Sequence, residues 1–427
     1  MSDFELTAIN DGVELVDIKT NRFKTNDICI SFCTPLKDDK TASANAVLIS
    51  LLSRTNKEYS SISEFNKKLG VLYGAQIRGV ISKSAENQVL TIICSCLADK
   101  FAIDETKISS EVFKLLIDLI SNPNIDDDGC FYQSDIEREK RVIIEKLEAE
   151  KNEKRVYSLR RLEQNMFKNE PYSINVYGSA QEVENLTKED LKTALENLIK
   201  TAKVQIVTIG SADTNSITEL AKEFFDKVHR EFTPLKPAVF IPKAENVNTV
   251  EERIPVKQGK LLLGFRVDVP PQDNLTSAMR AFCDVFGGGP YSKLFANVRE
   301  KLSLCYYCSA RYDRRKSNII IQCGCEEENM DKAIDEILVQ LDEIVKGNFD
   351  AELKSSKMGL TDSILSVDDD SLNISSWYLS QIADSEMITP RQSADKHLNV
   401  SKAEVMQCAK RLSLDTVYKL VSTKEGE

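Results

Sequence analysis

Apolar positions in this chain run in two periods, and the order in which those periods appear is written twice. In NDICISF, Ile28, Ile30 and Phe32 recur at every second residue, which predicts a strand. Over residues 41–53, Ala44, Val47, Leu48, Leu51 and Leu52 form the stripe of an amphipathic helix. Strand-like LYGAQIRGVIS and NQVLTIICSCL come next, and then the helix EVFKLLIDLISNP. A long charged helix is predicted to begin near Ser134, where Ser134 and Glu137 make a capping-box pattern ahead of REKRVIIEKLEAEKNEKR.

The second half repeats this order. Strand KLLLGFRVDV precedes helix SAMRAFCDVF, followed by a glycine turn and a short helix carrying Arg299. Strands LCYYCSARY and SNIIIQCGC flank the charged turn DRRK, and the helix MDKAIDEILVQLDEIVKG parallels EVFKLLIDLISNP. FDAELKSSKMGLTDSIL parallels FYQSDIEREKRVIIEKL, and the C-x-C pairs Cys94/Cys96 and Cys323/Cys325 fall on corresponding strands. Several strands linked by short turns and interleaved with helices predict an α+β fold in two similar domains, each a mainly antiparallel sheet covered by helices. The boundary is placed at residues 230–252, where Pro234, Pro237 and Pro242 suit an extended linker. That gives an N-terminal domain over 1–229 and a C-terminal domain over 253–427.

Composition narrows the partners. A net charge of −11 argues against nucleic acid or an anionic membrane surface. No run approaches the ~20 apolar residues of a membrane span. The acidic start, MSDFELTAINDG, has no apolar core of a secretory signal. Eleven cysteines, most of them inside apolar runs, read as reduced thiols packed as small hydrophobes, so a cytoplasmic location is expected.

The chemistry concentrates in FGGGPYSKLFANVREKLSLCYY, residues 286–307. Arg299 supplies a forked donor and Tyr306, on the expected strand, an O–H donor. Two such groups can converge on one carbonyl. The three glycines at 287–289 lack phosphate-loop spacing and suit a turn that lets backbones approach closely. Cys305 and Cys308 form a C-x-x-C, but residues three apart on a strand face opposite ways, which argues against a metal or redox role. Asp126–Asp128 and Asp368–Asp370 read as solvated helix caps, and Glu137 and Glu139 as the surface of the long helix. His229 and His397 stand alone, each in a polar stretch.

PYSKLFANVREKLSLCYY and the helix IEREKRVII at 136–144 resemble signatures of the M16 (pitrilysin-type) metallopeptidases, and the resemblance spans nearly the whole chain. Arg299, Glu300, Lys301, Leu304 and Tyr306 sit at matching positions of the C-terminal signature. Active relatives hold zinc with an inverted His-x-x-Glu-His helix and a downstream glutamate. Here the equivalent helix is 41–53, where the motif would start at Ala44 or Asn45, and the downstream position falls on Lys146. None of the expected ligands is present, and an ammonium repels a cation, so no metal or other cofactor is expected in this chain.

The resemblance therefore implies the zinc-free subunit of a heterodimer whose partner is a zinc-bearing M16 homologue. Arg299 would grip a carbonyl of an extended peptide, and Tyr306 would donate to the oxyanion formed in the partner's site. Among such proteins the chain looks most like bacterial inactive subunits linked to aminopentanol modification of elongation factor P. The alternative expectation is a scaffold that binds a translation factor without peptidase activity.

Overall fold

The NDICISF alternation lies at the centre of a six-stranded sheet in the computed structural model of the chain, which describes residues 3–423. Its strands are β1 (Glu5–Asn10), β2 (Val13–Lys19), β3 (Thr25–Pro35), β4 (Gln76–Ser84), β5 (Asn87–Leu97) and β6 (Lys203–Gly210). The spatial order is β1-β2-β6-β3-β5-β4, and only β2 and β6 run parallel. β3 is buried from Asn26 to Cys33 because both faces of the sheet are covered, which is why its sequence lacks a clean polar side.

A second, five-stranded sheet joins β7 (Asn248–Ile254), β8 (Lys260–Val267), β9 (Tyr307–Asp313), β10 (Asn318–Gly324) and β11 (Leu412–Ser422). Its order is β7-β11-β8-β10-β9, with β7 and β11 the one parallel pair. Remove β1 from the first sheet and the two orders, including the parallel pair, coincide strand for strand. The doubled sequence plan is thus a doubled α+β topology.

One face of each sheet is packed by helices from its own half of the chain. On the first sheet, the helices Asp39–Leu52 and Ile108–Ser121 bury Val47, Leu48, Phe113 and Leu116 against Ile28, Ile30 and Phe32. On the second, Thr276–Gly287 and Met330–Lys346 bury Phe282, Phe286 and Ile337 against Leu263, Phe265 and Ile321.

The opposite faces are covered differently from the expectation of boundaries at 229 and 252. The first compact unit comprises 1–148, 174–237 and 367–389, and the second comprises 149–173, 238–366 and 390–427. The helix Ser371–Leu379 lays Ile374 and Tyr378 on Val16, Ile18, Cys29 and Val207 of the first sheet. The helix Lys154–Met166 lays Leu162 on Leu262, Ile320 and Leu420 of the second. A sheet hydrophobic on both sides needs two covering layers, and each half of the chain supplies one helix to the other's sheet. The tether is also shorter than expected, because residues from 248 onward are already β7.

The long charged helix starts at Gln133, so Ser134 lies inside its first turn, and Glu137 accepts from Gln133 Nε2 at 2.7 Å. No described helix is long and apolar enough to cross a membrane.

Candidate functional site

The signature segment folds as an irregular helix, a tight bend and an edge strand. Leu294–Lys301 is a π-helix anchored by Leu294 and Val298, both fully buried, and by Asn297, whose Nδ2 donates to Gln340 Oε1 at 2.9 Å. The Leu302 N–H reaches back five residues to Asn297 O at 3.1 Å. Wide turns of this kind are rare and recur at functional sites. Ser303 then adopts φ +50°, a conformation unusual for a residue with a Cβ, and reverses the chain toward β9. Gly287 is the close-approach glycine: a Cβ there would meet the Ala310 backbone nitrogen at 2.6 Å.

Arg299 and Tyr306 both line one pocket of about 400 Å³, together with Glu300, Ser303, Leu304, Cys305, Glu326 and Asn329. The Arg299 guanidinium rests on the Phe295 ring at 4.5 Å, and its Nε is 3.6 Å from Glu300, beyond good hydrogen-bond range. Tyr306 is 62% exposed and its hydroxyl donates to Glu326 Oε1 at 3.3 Å. Tyr306 lies in the bend one residue before β9, rather than on the strand as its neighbours' alternation suggested. The bend frees its ring from the sheet face, and the helix carrying Arg299 ends at Lys301.

The same bend overturns the alternation argument about Cys305. Because Cys305 precedes the strand, its thiol turns back beside Cys308 on β9 and Cys323 on β10, and the three sulfurs lie within 4.8 Å of one another. Cys308 and Cys323 face each other in the strand register with sulfurs 2.9 Å apart. Hydrogen bonds from the Cys308 and Cys323 thiols, with the Arg299 charge adding to them against burial, hold the Cys305 thiol far below its ordinary value. Cys323 was missed in the sequence, although pairing the two strands about the DRRK turn puts it opposite Cys308.

The region equivalent to a zinc helix has a different character. Ala44, Val47, Leu48 and Ile49 are buried and offer no donor atom. Asn45 Nδ2 donates to Gln88 Oε1 at 2.9 Å, and Gln88 Nε2 donates to the Ala42 and Val176 carbonyls at 3.2 and 2.6 Å. Lys146 places its ammonium over the Tyr177 ring at 4.8 Å. This amide-and-aliphatic surface does not fit a zinc ion.

Glu139, read as a surface residue of the long helix, is fully buried and held by Arg54 Nε at 3.0 Å and Arg138 Nε at 2.8 Å. The signal was present, since Glu139 falls on the stripe Ile136, Ile143 and Leu147. Asp126 and Asp370 behave as turn and cap residues, whereas Asp368, read as solvated, is buried. Asp126 Oδ1 accepts from the Asp128 and Cys130 amides, and Asp370 from those of Leu372 and Asn373. His397 is buried with Nε2 3.3 Å from the Ser356 carbonyl, and burial lowers its basicity.

Residues 185–360 match the family described as Peptidase M16 inactive domain. Over 421 residues the chain is 27% identical to a Bacillus subtilis (strain 168) protein named "Probable inactive metalloprotease YmfF", with 98% of each chain covered. The crystal structure of a conserved protein from Enterococcus faecalis V583 superposes with a TM-score of 0.89 at 25% identity, covering 99% of this chain and 100% of that one. A peptidase M16 inactive domain from Pseudomonas fluorescens superposes over the full length of both chains with a TM-score of 0.79; at 15% identity that likeness is one of fold alone.

Proposed function

We propose that this chain, whose residues 185–360 match the Peptidase M16 inactive domain and which is 27% identical to a probable inactive metalloprotease, is the non-catalytic subunit of a heterodimer, binding extended peptide and completing the active site of a zinc-bearing M16 partner. The observation that carries this reading is the shared pocket of Arg299 and Tyr306. The Arg299 guanidinium, stacked on Phe295 and 39% exposed, and the exposed Tyr306 hydroxyl present their donors to the same pocket.

In this reading the Arg299 fork donates to a carbonyl of the peptide and fixes its register. The Tyr306 O–H donates to the carbonyl oxygen that gains negative charge during hydrolysis, and the donor strengthens as the charge develops. The Phe295 ring holds the guanidinium plane in place, so little side-chain freedom is lost on binding. The cleavage chemistry itself would come from the partner's own ligands, since the equivalent helix here carries none.

The test is co-expression of this chain with a homologue from the same organism that retains His-x-x-Glu-His, followed by light scattering and peptide-library cleavage. A 1:1 complex is expected, with cleavage that falls by on the order of 10²–10³ for Arg299→Ala while the complex persists. Undiminished turnover by the variant complex would refute the reading. A stable complex that cleaves nothing would instead favour a scaffold that holds a client, such as a translation factor, for another enzyme.

A further inference from the structure

All eleven cysteines are buried, yet among the described residues only Cys305, Cys308 and Cys323 gather into a group of three. They come from three backbone segments: the bend after the π-helix, the edge strand β9 and its neighbour β10. Cys305 joins the other two only because Ser303 takes a left-handed conformation and Tyr306 bends the chain before the strand begins. Three thiols packed merely as small hydrophobes would not call for a strained turn to bring their sulfur atoms face to face.

From this convergence we propose that Cys305, Cys308 and Cys323 form a metal site for one thiophilic cation of the Zn²⁺ or Cu⁺ class. Sulfur ligands at ~2.3 Å from a zinc ion stand ~3.8 Å from one another in tetrahedral geometry. The three sulfurs already lie within 4.8 Å of one another, with the Cys308–Cys323 pair at 2.9 Å, so small side-chain rotations bring all three to a common spacing. An all-thiolate set selects soft ions over magnesium or calcium, which need oxygen ligands.

Ion entry releases the thiol protons, and three thiolates around a monovalent or divalent cation leave net negative charge. Arg299, whose charge already acts on the Cys305 thiol, offsets it. Cys305 also borders the 400 Å³ pocket, which provides a route in and an open side for water as a further ligand. The site uses none of the zinc-helix positions and does not depend on the peptide-binding reading of Arg299 and Tyr306.

The experiment uses the full chain, reduced and metal-stripped under anaerobic conditions. Zn²⁺ and Cu⁺ are each titrated in competition with a chromophoric chelator, and Co²⁺ is added separately to look for thiolate-to-cobalt charge-transfer absorption. One equivalent of Zn²⁺ or Cu⁺ is expected to bind, and Co²⁺ to show the sulfur band. Cys305→Ser, at the rim of the cluster, and Cys308→Ser, within the sheet, should each weaken binding by about 100-fold or more, since losing a ligand costs at least what losing a supporting residue does. Cys94→Ser, in the other unit, should leave it unchanged, and circular dichroism establishes that each variant is folded. Absence of stoichiometric binding by either ion would overturn the proposal. So would binding that survives both cluster substitutions, or a Cys308–Cys323 disulfide in the freshly isolated chain that removes two titratable thiols and leaves no ion site on reduction.

Discussion

At the residue scale, the proposed function turns on groups whose neighbours leave them partly unused. Tyr306 keeps its ring in the bend and offers its hydroxyl to Glu326, so Tyr306→Phe removes one donor and little packing. In the proposed complex with a zinc-bearing partner, that change should lower kcat by about 10²-fold with the complex intact, and steady-state kinetics on a cleavable peptide measures it. Buried titratable residues behave in the opposite way. His397 is depressed first by burial; Arg280 and Lys357 push the same way, while the Ser356 carbonyl and Asp284 oppose them. In the unfolded chain it titrates near 6.5. Below that pH the unfolded state binds the extra proton and the folded state does not. Stability therefore falls as pH drops through ~6.5 toward the folded value, and levels off beneath it. Thermal melts between about pH 7.5 and 5.5 should show this slope, and His397→Gln should flatten it; parallel curves for the two proteins would remove His397 as the cause.

At the element scale, the exchanged helices decide whether each sheet is covered. Ser371–Leu379 has a cap of its own in Asp370, but its helical pattern is short and its function is to lay Ile374 and Tyr378 on the first sheet. Ile374→Ala leaves the cap and removes the contact. A loss of about 2–5 kcal/mol is expected in chemical denaturation, because the buried site cannot fully collapse. A change under half a kcal/mol would mean that the helix is not the cover it looks to be. Much of this level was legible in the sequence. The strand and helix periods around Ile28–Phe32, residues 41–53 and the Met330–Lys346 helix match what forms, because local period and buried face agree there. The Arg299–Tyr306 segment was misread by one strand residue, because a left-handed Ser303 cannot be read from a two-residue alternation.

At the scale of the whole molecule, the repeat and the domain boundary follow different rules. The two sheets share a strand order, yet neither compact unit is a continuous piece of chain. A fragment of residues 253–427 lacks the Lys154–Met166 helix, so Leu262, Ile320 and Leu420 would face solvent. Such a patch favours association. The fragment should aggregate or form a loosely packed state by light scattering and near-ultraviolet circular dichroism. Adding a peptide of residues 149–173 should partly rescue it, and a monomeric, fully ordered fragment would contradict this.

The sequence by itself determined the duplicated α+β plan and the two segments that resemble family signatures, and it put no His or Glu at either register of the expected zinc helix, starting at Ala44 or at Asn45, nor at Lys146, because these depend on residue identity and local period. Only the tertiary structure decided which sheet the Lys154–Met166 and Ser371–Leu379 helices cover, that Glu139 is buried between two arginines, and that Cys323 meets Cys305 and Cys308. Each of these is a contact between residues distant in sequence or turned by an unusual backbone angle. It is selected by which apolar face remains uncovered and which charge needs a partner, and a periodic pattern carries neither.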